Sequence, residues 1–153
     1  MKIIAALLIC IGVIVMACNK DKFQTKPQLS IKSINSSRIP AGGTLVVTLK
    51  YTDKEGDVDD SLLIVRERTN ERSTTPPTIL PFEIPEFPNE KQGELQVALD
   101  YNFALTFALP PIRIPGSDPE RYEPDTLNFK FVLRDQAGNK SDTARLNSVI
   151  VER

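Results

Sequence analysis

The sequence predicts an all-β chain, folded as an antiparallel two-sheet sandwich of about seven strands. Three observations predict it. Apolar residues recur at every second position through residues 44–52, 94–109 and 126–134, the period of a strand with one buried face. Twelve prolines and clusters of Gly, Asn and Asp punctuate the chain between those stretches. Beyond the apolar amino-terminal run, almost no segment carries helical periodicity.

Residues 29–34 form a short first strand, and Ile39-Pro40-Ala41-Gly42-Gly43 is a turn. In 44–52, Leu45, Val47, Leu49 and Tyr51 point one way and Thr44, Val46, Thr48, Lys50 and Thr52 the other. Residues 61–69 start apolar and end in Arg66, Glu67 and Arg68, expected to be a solvated end or face. In 94–109 every odd position is apolar, from Leu95 to Leu109. Sixteen extended residues would span about 50 Å, far beyond an ordinary strand, so the pattern must bend; Asp100-Tyr101-Asn102 is the expected corner. Leu127, Phe129, Phe131 and Leu133 repeat the alternation in 126–134, and residues 142–151 form the last strand. Between these two lies a turn, 135–140, whose Gly138-Asn139 pair supports positive φ.

The first eighteen residues have a separate purpose. Lys2 is followed by fifteen uncharged residues, Ile3 to Ala17, which make about 22 Å of helix against the roughly 30 Å of a bilayer core. A positive start, an apolar middle and a small residue before the cut describe a removable signal. With its closing Val15-Met16-Ala17-Cys18, the segment resembles a bacterial lipoprotein signal. That resemblance implies cleavage of a signal helix, residues 1–17, and lipidation of Cys18, the chain being held to a membrane by two or more acyl chains. The organisation expected is a signal peptide (1–17), a lipidated Cys with a polar tether (18–26) and one sandwich domain (27–153). The product is an exported lipoprotein of the cell envelope, at the outer membrane, facing the periplasm or the cell surface.

Removing the signal leaves 136 residues, the size of one domain with a real core. Nineteen basic against twenty acidic residues give no electrostatic footprint for nucleic acid. Cys10 leaves with the signal and Cys18 carries lipid, so no disulfide staples the fold. The chain has no His, which removes the usual general base, Ser-His and Cys-His nucleophiles and His-ligated zinc. No phosphate-cradling glycine loop appears. The chain therefore reads as a noncatalytic binding or structural module. A glycan-binding module is an alternative, although there is no Trp, and of three Tyr only Tyr122 reads as free to stack on a sugar.

The stretch from Phe129 through Arg134-Asp135-Gln136-Ala137-Gly138-Asn139-Lys140 to Ser141 resembles the closing hairpin of bacterial immunoglobulin-like domains. Tyr51-Thr52-Asp53-Lys54-Glu55-Gly56-Asp57 is similar to an acidic loop of related exported lipoproteins. The resemblance implies immunoglobulin-like connections and no particular activity.

One constellation carries possible chemistry. Asp53, Glu55, Asp57 and Asp59 alternate around Gly56, and carboxylate oxygens in such a loop suit calcium, which takes six to eight hard ligands. It is not an EF-hand, since Gly stands fourth and Ile64 occupies position twelve. Immunoglobulin-like topology would bring Asp135 and Asn139 to the same end to complete the shell. The competing reading is an acidic turn facing water. The second candidate is proline-rich: Ile79, Phe82, Ile84 and Phe87 lie among Pro76, Pro77, Pro81, Pro85 and Pro88, with Tyr122 in a second such stretch. These side chains are either a docking surface for a protein or glycan partner in the envelope or a cover for an open sheet edge.

Overall fold

The computed structural model describes residues 24–153. The expected signal peptide (1–17), Cys18 and residues 19–23 of the expected tether (18–26) lie outside the described residues. Eight strands follow one another: β1 (Gln28–Ile34), β2 (Arg38–Ile39), β3 (Thr44–Thr52), β4 (Ser61–Arg68), β5 (Thr78–Glu83), β6 (Gln92–Asp100), β7 (Asp125–Arg134) and β8 (Ala144–Val151). They form a three-stranded sheet, β1-β3-β6, and a five-stranded sheet, β2-β8-β7-β4-β5. All pairings are antiparallel except β2 with β8.

Alternation places the core. Leu45, Val47, Leu49 and Tyr51 of β3 are buried, as are Leu127, Phe129, Phe131 and Leu133 of β7, and they share one apolar cluster with Leu62 and Ile64 of β4. One face of each sheet thus closes on the other, a β-sandwich-like arrangement. Truncating Phe129 or Phe131 to Ala in such a core costs about 3–5 kcal/mol.

The sandwich has two unlike ends. Thr52 of β3 pairs with Gln28 and Gln92, so the starts of β1 and β6 lie at the end where β3 runs out. Thr44 pairs with Asp100 at the other end, where Val151 of β8 also pairs with Asp125. The 94–109 pattern turns at that second end: β6 stops at Asp100, whose carboxylate accepts from the Asn102 and Phe103 amides, and Tyr101–Leu105 form a π-helical turn. The expected corner is there. Beyond it the two-residue period loses its meaning, because Leu105 and Leu109 are buried while Phe103 and Phe107 are among the most exposed apolar side chains.

The expectation of a solvated Arg66-Glu67-Arg68 end is overturned for both arginines, of which Arg66 is 1% and Arg68 7% exposed. Both continue the inward phase set by Leu62 and Ile64. Their task is to satisfy main-chain carbonyls of the segment that closes the end. Arg66 Nη1 donates to the Ala104 carbonyl at 2.6 Å and that of Leu105 at 3.2 Å. Its Nη2 donates to Phe107 O at 2.7 Å and to Thr78 Oγ1 at 3.0 Å. Burial draws the Arg66 guanidinium below its ordinary pKa, opposed by the charge of Asp125. Arg68 donates to Pro110 O and pairs with buried Asp125, which also takes Arg153.

Candidate metal centre

The end where β3 runs out gathers three segments. The first, 53–60, begins as β3 leaves the sheet: Asp53 N still donates to Lys91 O at 2.8 Å, in register with β6. The Asp53 side chain then turns the chain, its Oδ2 accepting from Glu55 N at 3.1 Å and Gly56 N at 2.7 Å. Gly56 is required here. Its φ is +80°, and an added Cβ would stand 2.9 Å from the backbone of Glu90.

The second segment is the β7–β8 turn. Asp135 Oδ1 accepts from Asn139 N at 2.7 Å and Oδ2 from Asn139 Nδ2 at 2.9 Å, so one carboxylate ties its own turn shut. Gly138, with φ +87°, supplies the reversal. The two loops are joined directly, since Gln136 N donates to Asp57 O at 3.0 Å and Gln136 Nε2 to Asp59 Oδ1 at 2.7 Å. The third segment is the stretch that leads into β1. Lys54 N donates to Gln24 O at 3.1 Å, and Lys26 Nζ pairs with Asp142 at 2.5 Å.

This folding brings one carboxylate oxygen each of Asp53, Asp57 and Asp135 within 4.8 Å of one another. Asp53 is 0% and Asp135 2% exposed. Asp53 Oδ1 and Asp57 Oδ1 are buried without a hydrogen-bond partner. Such oxygens are expensive to leave unmatched, about 1–3 kcal/mol each and more when charged. Burial first, then the negative charges of Asp135 and Asp53, hold the Asp57 carboxyl above its ordinary range, against the lowering effect of its backbone hydrogen bond. Nearby, burial and the charges of Glu90, Asp53 and Asp59 raise the Tyr51 phenol.

Three hard oxygen donors with no nitrogen or sulfur suit calcium better than a transition metal. The donor set fits, because the unmatched Asp53 and Asp57 oxygens are what a cation would satisfy, while main-chain carbonyls and water can fill the remaining positions of a flexible shell. Of the residues expected from sequence, the structure unites Asp53, Asp57 and Asp135. Asn139 sits behind them, orienting Asp135. Glu55 is exposed outside the cluster, and Asp59 is turned toward Gln136. An alternating acidic series marks the loop but not which carboxylates turn inward; that depends on the Asx turn at Asp53.

Of the aromatic and apolar residues of the proline-rich stretches, Phe82 and Ile84 line a common groove. Phe82, Ile84 and Phe87 pack half-buried against the core, Phe87 with its ring centroid 6.3 Å from that of Tyr51. Ile79 on β5 and Tyr122 in the β6–β7 connection are exposed, at 62% and 40%. No known protein-family pattern, curated protein or solved structure matches the chain.

Proposed function

We propose that this chain is a noncatalytic immunoglobulin-like module, anchored through lipid on Cys18 at the cell envelope, whose tether-side end is clamped by a calcium ion. The observation that carries the cation is the pair of buried, partnerless oxygens of Asp53 and Asp57 facing Asp135. The strand order, with β1 and β3 in one sheet, β8-β7-β4 in the other and β2 crossing to β8, supports the immunoglobulin-like reading. The anchoring rests on the sequence from Lys2 to Cys18. Absence of His leaves contact rather than turnover as the work of such a domain.

Calorimetric titration with calcium tests the clamp. Heat and a rise in melting temperature are expected with calcium, both lost in Asp57→Asn; a response no greater than that to magnesium would sink it. Mass spectrometry of the mature amino terminus tests the anchor independently, and an intact Met1 would refute it.

A further inference from the structure

The two sheets have four edge strands, β1 and β6 in one, β2 and β5 in the other. Natural sandwiches protect such edges by shortness, proline, a bulge or charge. β2 has two residues, β5 carries Pro81, and β1 slips register between Ile31 and Ser33. β6 alone has none of the first three: nine residues in unbroken register with β3, without proline. Its only outward-lying charge in mid-strand, Glu94, is already engaged by Lys32 at 2.5 Å.

The direction of its free groups follows from one bond. Asp53 N donates to Lys91 O in the β3–β6 register, so Lys91, Gly93, Leu95, Val97 and Leu99 turn their main-chain groups toward β3. The amides and carbonyls of Gln92, Glu94, Gln96 and Ala98 therefore face away, toward the side where the sandwich is open. Beside them, between β6 and β5, runs a groove of about 170 Å³ whose floor includes Leu62, Phe82, Leu95 and Val97. Glu83, the last residue of β5, lines this groove, and Glu86 follows on the β5–β6 connection; both are exposed and neither has an ion pair among the described residues.

We infer that the outer edge of β6 is a strand-addition site for an extended peptide segment of another protein, with alternate apolar side chains and a basic end. The peptide's main chain pairs with Glu94, Gln96 and Ala98. Its inward side chains enter the groove over Phe82, and its basic end meets Glu83 and Glu86. The carboxylates favour such a partner over a second copy of this chain, whose own β6 offers no basic residue and two acidic ones, Glu94 and Asp100. The site is independent of the cation and of lipidation.

The test uses the full chain and a labelled synthetic peptide that alternates valine and threonine between terminal lysines. Binding followed by fluorescence anisotropy is expected, and amide exchange at Glu94, Gln96 and Ala98 should slow at least about tenfold in the complex. Gln96→Pro removes an outward amide without touching the β3 ladder, and should weaken binding by about tenfold with the melting temperature retained. Unchanged exchange of the three amides at saturating peptide overturns the site, whether or not the proline variant folds. Equal binding of a peptide with glutamates in place of the lysines, or with a central proline, also overturns it. So does a dimer in sedimentation that protects those amides without peptide, because the edge would then belong to a second copy.

Discussion

Arg68 and Asp125 face each other at 2.6 Å with side chains 1% and 0% exposed, and Asp125 takes Arg153 on its other oxygen. A carboxylate so placed holds the end of β4, the start of β7 and the residues after β8 to one point. Asp125→Asn leaves two buried guanidinium groups without their counter-charge, and a loss of about 3–5 kcal/mol is expected in urea unfolding. A loss below about 1 kcal/mol would mean that the carbonyls of Pro110 and Leu109 already satisfy the two arginines.

Arg66→Met should keep the stem's packing and delete the donors that hold the 104–107 carbonyls. Stability is expected to fall by about 2–4 kcal/mol. Hydrogen exchange locates the damage: amides of the π-helical turn and Leu109 should exchange faster, with β3 and β7 changed only in proportion to the global loss.

Gly56→Ala meets both a φ of +80° and a Cβ position 2.9 Å from the Glu90 backbone. A destabilisation of about 2 kcal/mol or more is expected in thermal or urea melts. Since Gly56 N also holds Asp53 Oδ2, calcium affinity should drop as well, read by calorimetry.

Asp57→Asn should act oppositely on the metal-free and calcium-loaded protein. Without calcium it removes a charge that burial and two neighbouring carboxylates disfavour, and stability should rise by about 1 kcal/mol. With calcium the wild type gains and the variant does not. The pH dependence has a fixed sign. The folded Asp57 pKa lies above its ordinary 3.8, so its protonation favours the folded state. That contribution is complete below pH 3.8 and is lost as pH rises through the raised folded value. Melting temperatures of metal-free wild type and Asp57→Asn, taken from pH 3.5 to about 7, should therefore diverge upward in pH.

Much of the fold was legible because β3 and β7 each bury one face, and the resulting alternation is written directly in Leu45 to Tyr51 and Leu127 to Leu133. The corner at Asp100 was legible for a different reason, since sixteen extended residues exceed any plausible strand. The burial of Arg66 and Arg68 was not, because their partners, main-chain carbonyls of 104–110 and the Asp125 carboxylate, lie about forty to sixty residues away and local side-chain polarity gives no clue to them. Even the in-phase position after Leu62 and Ile64 argued against them only by type. In the acidic loop, composition marked the segment that supplies Asp53 and Asp57 to the carboxylate cluster, and the expected sheet topology brought Asp135 to the same end. The choice of Asp53 and Asp57 over Glu55 and Asp59 is made by main-chain turns that no alternation encodes.

The two unlike ends have a mechanical consequence. Gln24 is bound to Lys54 at the end where β3 runs out, and Arg153 is pinned to Asp125 at the other. A force applied between those two residues runs along the strands. The parallel β2–β8 contact, with Ser37 O accepting from Ile150 N at 2.8 Å and Ile39 O from Glu152 N at 2.9 Å, would then be loaded in shear. Its two bonds would then share the load rather than peel one after another.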